Sequence, residues 1–287
     1  MTHKLKMVTF LVLSMAGAGT ARADMTAAEA RADVQKTFGF TPAFIKAVPD
    51  GALPGLWGEV KGFEMNPGTA LPVKMKELIG LAVSSQTSCR NCIYSYSRCA
   101  KANGASQAEV GEAVAMAALT RRWSTHFNGL QLDETKFRAE IAKLVANAKA
   151  ATPGGPAPKP IMVIDARTAL DDIKQSFGFV PEFVSTMPPE VLPGAWLGMK
   201  GLEMNPQTAL PGKYKSLISL AVASQVPCRY CVVADTEFAK LEGATEREIR
   251  EAVTMAGMAR HVGALLEGLE VDDRIFRRDI DRMIGGE

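Results

Sequence analysis

The sequence predicts an all-α protein made of two tandem helical domains, and three observations predict it. Whole segments recur at one offset: Phe38-Gly39-Phe40-Thr41-Pro42 returns as Phe177-Gly178-Phe179-Val180-Pro181, and Glu64-Met65-Asn66-Pro67 as Glu203-Met204-Asn205-Pro206. Cys89-Arg90-Asn91-Cys92 likewise returns as Cys228-Arg229-Tyr230-Cys231, and each landmark stands 139 residues after its twin (38 to 177, 89 to 228), so a whole domain has been duplicated without a gap. Apolar residues follow helical spacing, as in Leu78, Ile79, Ala82 and Val83, and no stretch alternates with period two for long enough to demand a strand. Between the copies, residues 151–160 carry Pro153, Gly154, Gly155, Pro156, Pro158 and Pro160, which stop any helix and favour an extended linker.

The chain opens on Lys4 and Lys6, an apolar run from Met7 to Met15, and Ala21-Arg22-Ala23, an A-x-A cleavage pattern. Residues 1–23 read as a signal peptide: the run falls short of the ~20 apolar residues that span a bilayer. No cysteine at the cleavage point suggests a lipid anchor. Removal takes Lys4, Lys6 and Arg22 and no acid, moving the formal charge from +2 to −1. A nearly neutral chain has no electrostatic footprint for nucleic acid or anionic lipid, so neither nucleic acid nor, after cleavage, a membrane is an expected partner. Export to the periplasm or beyond puts the five cysteines in an oxidising compartment.

The first domain is read over 24–150 and the second over 161–287. In the first, Thr41-Pro42 and Leu71-Pro72 place proline where helices begin, as do Val180-Pro181 and Leu210-Pro211 in the second. Ser106-Gln107-Ala108-Glu109 and Thr245-Glu246-Arg247-Glu248 have the form of capping boxes, each after a glycine suited to ending a helix. The last helices are expected over about 133–147 and 272–283.

Each domain carries one Cys-x-x-Cys pair. Two cysteines three apart can close a small disulfide, and at a helix N-terminus the free N–H groups and the dipole favour thiolate, the nucleophile toward peroxides and disulfides. Both pairs follow an expected helix end and precede a new helical run, which fits that placement. A permanent structural disulfide is the other reading for an exported chain. Zinc held by four thiolates needs the distant pairs brought together, and no βαβ pattern supports a thioredoxin fold. No Gly-x-Gly-x-x-Gly, phosphate loop or His/carboxylate constellation calls for a cofactor or metal.

With these motifs in place, the sequence resembles the carboxymuconolactone decarboxylase superfamily, specifically its alkylhydroperoxidase D-like branch. That branch has a glutamate twelve residues before a Cys-x-x-Cys and a histidine four residues after its second cysteine. The likeness covers about 33–147 and 172–286. It implies an all-helical fold, assembly into trimers or hexamers, and peroxidase or thiol–disulfide exchange chemistry on a hydroperoxide or disulfide with a thiol reductant. Carried over residue by residue, Cys92 and Cys231 attack while Cys89 and Cys228 resolve. In the first copy Glu77 holds the glutamate position, but Tyr96 stands at the histidine. In the second copy Ser216 and Asp235 replace both. An ionised aspartate beside a thiol raises its pKa, and tyrosine is a poor base at neutral pH. The first copy, with Cys89, Cys92, Glu77 and Tyr96, is therefore the expected active site, and the second reads as degenerate. The superfamily's decarboxylase branch, whose members typically lack the Cys-x-x-Cys, and a non-catalytic exported scaffold are the alternatives.

Other residues invite plainer readings. His126 aligns with Leu265, which suggests a packed or half-exposed ring, the sharper alternative being a substitute base for the cysteines. His261 aligns with Arg122 and reads as surface. Cys99 lies two turns after Cys92 and reads as a small core residue, or else a third redox thiol. Trp57 and Trp196 are expected as core or interface anchors, and the matched carboxylates Glu64 and Glu203 as solvated helix ends, the other reading being that they approach a site.

Overall fold

The computed structural model describes residues 25–150 and 159–285; the expected signal peptide, residues 1–23, and all but the end of the expected linker lie outside them. Among the described residues there are fourteen α-helices and no strand, as expected. The first copy runs α1 (Ala27–Phe38), α2 (Ala43–Ala47), α3 (Leu53–Glu59), α4 (Val73–Thr87), α5 (Arg90–Ala102), α6 (Gln107–Leu130) and α7 (Glu134–Ala150). The second repeats it as α8 (Ala166–Phe177), α9 (Glu182–Ser185), α10 (Leu192–Gly198), α11 (Gly212–Gln225), α12 (Arg229–Leu241), α13 (Glu246–Gly268) and α14 (Asp273–Met283). No described helix is long and apolar enough to cross a membrane.

The predicted punctuation is where the helices start and stop. Pro42, Pro72, Pro181 and Pro211 immediately precede α2, α4, α9 and α11. Ser106 with Glu109 and Thr245 with Glu248 form reciprocal capping boxes at α6 and α13. One feature had no sequence signal: α3 and α10 each run on into a single π-helical turn, Val60–Glu64 and Met199–Glu203. The wider turn redirects the last residues of each segment, and both turns end on the matched glutamates Glu64 and Glu203.

Helices α4 and α11 form the centre. Both are apolar on nearly every face, and Met75 to Val83 and Leu217 to Ala223 are almost wholly buried, the pattern of a helix surrounded by others. They pack on each other and on both long helices, α6 and α13. The two copies are thus interlocked within one chain. The C-terminal helices of each copy cover the cysteine helix of the other, α14 on α5 and α7 on α12. Polar contacts repeat the exchange. Glu251 on α13 accepts from the Ala70 and Leu71 amides at 2.9 and 2.7 Å, and Glu112 on α6 accepts from Ala209 and Leu210, both at 2.7 Å. Tyr94 donates to Asp281 at 2.8 Å, and Tyr230 to the Leu132 carbonyl at 2.7 Å.

Trp57 and Trp196 are buried anchors, as expected, and each indole N–H donates to a carboxylate held by a lysine: Asp33 with Lys61, and Asp172 with Lys200. Two further lysines are buried outright. Lys76 donates from Nζ to the Asn66 carbonyl (2.8 Å), the Thr69 hydroxyl (2.8 Å) and the Phe63 carbonyl. Lys215 repeats this with Leu202, Asn205 and Thr208 at 2.8, 2.7 and 3.0 Å. These lysines tie each π turn and the loop after it to a central helix, which fixes where Glu64 and Glu203 point.

Candidate functional site

Each Cys-x-x-Cys lies where the sequence put it, at the mouth of a helix. Cys89 is the N-cap of α5 and Cys228 the N-cap of α12, and the two pairs are closed as disulfides Cys89–Cys92 and Cys228–Cys231. In both, the N–H of the second cysteine donates to the sulfur of the first at 3.2 Å. Once the bond is reduced, that donor and the helix dipole favour the first sulfur as thiolate. All four cysteines are buried, beneath helices of the opposite copy. Gly263 on α13 lies against the first pair: a Cβ there would sit 3.5 Å from the Cys92 sulfur and 3.7 Å from that of Cys89.

Carboxyl groups are buried beside both pairs. In the first copy Glu77 on α4 and Tyr96 on α5 are 4 % and 3 % exposed, and Glu64 comes in from the π turn. Burial pushes the Glu77 carboxyl well above the ordinary range, with the Glu64 charge adding to it and Lys76 opposing. Burial raises Glu64 to about 7, again against Lys76. The same burial, with both acids nearby, pushes the Tyr96 phenol up, so Tyr96 is a neutral hydrogen-bonding group here. Cys99 belongs to this group too: burial first, then Glu77 and Glu64, hold its thiol protonated. That supports its reading as a packing residue.

The second copy reaches the same result with different residues. Asp235 on α12 is 7 % exposed, and Oδ2 has no hydrogen-bond partner, as is true of Glu77 Oε2 in the first copy. Burial, then the Glu203 charge, pushes Asp235 well above the usual carboxylate range. Glu203 is raised to about 7 by burial, with Lys215 opposing. The acid missing at Ser216 on α11 has therefore been replaced across the site from α12. This corrects two expectations. Held neutral, Asp235 puts no like charge beside the thiol, so the argument that it raises the thiol's pKa does not apply. Glu64 and Glu203, at the ends of the π turns, are half-buried, and Glu203 lines the second copy's cavity, so they approach the sites instead of standing as fully solvated helix ends.

The two sites differ in the space they leave. In the first, the Tyr96 ring lies over the backbone of Gly80 so closely that a Cβ on Gly80 would fall 2.5 Å from it. In the second, the matching residues are Asp235 and Ser219. They line a cavity of about 40 Å³ together with Glu203, Cys231 and Thr120. That is room for two or three waters. Its apolar wall includes Trp123, Phe127 and Phe137, which belong to α6 and α7 of the first copy. The Ser219 and Thr120 hydroxyls bond across the copies at 2.9 Å.

The expected site residues Cys89, Cys92, Glu77 and Tyr96 are buried side by side on α4 and α5, and Cys228 and Cys231 stand apart on α12. His126 does not serve the first pair. It is half-buried, bonds the Thr186 hydroxyl at 3.1 Å, and stacks edge-on against Trp123, on the second copy's side. Burial and Arg122 lower its pKa, which keeps the ring neutral. His261 is exposed, as expected. Trp123 and the buried lysines line or support the sites and have no counterpart among the residues that the sequence singles out, whereas Asp235 and Glu203 are named there with other roles. A visible signal existed for Trp123 and Phe127: they face Val262 and Leu266 in the alignment, an aromatic excess on one copy only.

An all-helical duplicated domain with a Cys-x-x-Cys at a helix start and buried acids beside it defines a thiol-bearing helical class. The chain belongs to the carboxymuconolactone decarboxylase family, whose model matches residues 52–134 and 191–273, one segment in each copy. No curated protein and no solved structure matches the chain.

Proposed function

We propose that this protein is an exported thiol-dependent peroxidase or thiol–disulfide oxidoreductase of the alkylhydroperoxidase D-like kind. The observation that carries this reading is the joint placement of each pair: an N-capping sulfur that receives an amide N–H, and a buried second sulfur in the first turn of the same helix, in a copy that also buries a carboxyl, Glu77 or Asp235.

That arrangement supports a balanced two-electron cycle. In the reduced state the thiolate of Cys89 or Cys228 takes the proton of its neighbour, and the resulting thiolate of Cys92 or Cys231 attacks the outer oxygen of a hydroperoxide. The O–O bond breaks, the sulfur becomes sulfenic acid, and the departing alkoxide takes a proton from Glu77 or Asp235. Cys89 or Cys228, its thiolate stabilised by the amide donor, then gives up that proton and attacks the sulfenic sulfur. The disulfide forms, the S–O bond breaks, and hydroxide leaves as water after taking a proton. An external dithiol returns two electrons and two protons. For a disulfide substrate the same thiolate attacks sulfur instead of oxygen. The partners are thus a hydroperoxide or disulfide, a thiol reductant and, by the family's habit, further copies of this chain.

The test is peroxide loss on adding hydroperoxide to the reduced protein, measured beside Cys92→Ser, Cys231→Ser and the double variant. The expected result is that the double variant loses the reaction. Equal rates in wild type and double variant would remove the reading and leave a helical scaffold with permanent disulfides.

A further inference from the structure

We infer that the cavity of the second copy is where the hydroperoxide binds, held between the Trp123 indole N–H and the Asp235 carboxyl, while in the first copy Tyr96 occupies the corresponding space. The inference rests on the peroxidase reading and adds a division of labour between the copies.

Two unsatisfied polar atoms point to a ligand. Buried polar groups are almost always paired, yet Trp123 Nε1 and Asp235 Oδ2 both lack a partner, and their residues are 6 % and 7 % exposed. Both residues line the same cavity. One supplies a donor, and the other a carboxyl that can accept or donate. A hydroperoxide group complements them: one oxygen accepts from the indole, and its O–H donates to the carboxyl. The volume admits a molecule the size of a few waters and no large substrate. Phe127, Phe137 and Phe183 give the cavity an aromatic wall, so hydrogen peroxide or a short alkyl hydroperoxide is the class that fits.

The cysteine on the wall is the one the chemistry needs. Cys231 lines the cavity with Glu203 and Asp235, whereas its partner Cys228 is fully buried at the helix cap. Attack by Cys231 on the outer oxygen breaks the O–O bond, gives the sulfenic acid, and passes the Asp235 proton to the leaving oxygen. Cys228 then closes the disulfide with loss of water. Trp123 comes from the opposite copy, so the duplication itself builds this site.

In the first copy the same four places hold Gly80, Tyr96, Val262 from the opposite copy, and Cys92. Val262 offers no donor, and the tyrosine ring sits where the cavity would be. The first pair is then suited to relaying electrons or to exchange with a dithiol, not to holding peroxide.

The experiment compares two full-length double variants. Cys89→Ser/Cys92→Ser leaves only the second pair, and Cys228→Ser/Cys231→Ser leaves only the first. Each is reduced, mixed with hydrogen peroxide or tert-butyl hydroperoxide, and quenched for thiol counting over time. The expected result is near wild-type oxidation of the second pair and oxidation of the first at least about tenfold slower. Faster or equal oxidation of the first pair overturns this inference while leaving the peroxidase reading standing. If neither pair outpaces a free cysteine, the peroxidase reading fails and this inference with it. A gain-of-function arm guards against misfolding. Gly80→Ser/Tyr96→Asp, placed in the chain that keeps only the first pair, copies the second site's residues and is expected to speed peroxide oxidation severalfold; an unchanged rate counts against Tyr96 as the block. Trp123→Phe keeps the ring and removes the donor. It is expected to cost about tenfold in the peroxide rate while leaving exchange with a disulfide reagent unchanged, and an equal loss in both assays would mean that Trp123 is only structural.

Discussion

Two halves of one chain, separated by a gene-scale copy event, have kept the same helices and the same cysteine pair yet solved the buried-acid problem differently. The first copy takes its second carboxyl from α4 (Glu77) and fills the space beside the sulfurs with Tyr96. The second takes it from α12 (Asp235), carries serines at 216 and 219 on α11, and leaves a cavity. Position-by-position comparison reads the second copy as damaged. Comparison of what surrounds the sulfur reads it as rebuilt, with one buried and one half-buried acid in each site.

The shared supports and the divergent pockets can be separated by mutation. The largest expected effect falls on a shared support: Lys76→Met or Lys215→Met removes a buried ammonium and strips a donor from three half-buried acceptors, and should cost about 2–4 kcal/mol each in urea unfolding. If one variant unfolds easily and the other does not, the copies are not the structural equivalents described above. Next comes Asp235→Asn, which retains shape and a neutral charge but cannot give up a proton, and should slow oxidation of the second pair by about 10²-fold. Its stability at acid pH should match wild type, because the aspartate is already neutral there.

Gly80→Ser should cost about 1–3 kcal/mol by driving an atom into the Tyr96 ring. Adding Tyr96→Asp should recover part of that loss. A double-mutant cycle without coupling between 80 and 96 would break the claim that the two positions changed as a pair.

A smaller effect is a pH trend. Burial raises Glu64 and Glu203 from their ordinary range to about 7, so between about pH 4.5 and 7 the folded state holds protons that the unfolded chain has released. Folding stability from these groups is therefore greatest in acid and declines as pH rises through that window. Thermal melts should show it, and Glu64→Gln/Glu203→Gln should flatten the slope; a stability that climbs across the window in wild type alone would contradict the raised values. The smallest effect is expected at Gly263→Ala, where the added methyl meets the first disulfide at ordinary contact distance and the helix gains up to about 1 kcal/mol.

Much of this was legible before any coordinates. Duplication, the all-helical class, the capping boxes and the helix-start placement of Cys89 and Cys228 all follow from local chemistry written in consecutive residues. Three things were not. The π turns that bring in Glu64 and Glu203 have no simple sequence signature. The exchange of α7 and α14 between copies depends on which surface each amphipathic helix meets, and two copies of one domain offer each helix two similar partners. Asp235 was misjudged because its charge state depends on burial, and because its functional counterpart, Glu77, lies on a different helix of the fold.

The central claim is that both cysteine pairs are working redox couples. Equilibrating the folded protein in graded dithiol buffers, then counting each disulfide by alkylation and mass spectrometry, tests it most directly. The account expects each pair to be half-reduced between about −180 and −270 mV, the range of catalytic dithiols. Pairs that stay oxidised below about −300 mV would be structural staples, and the enzymatic account would be wrong.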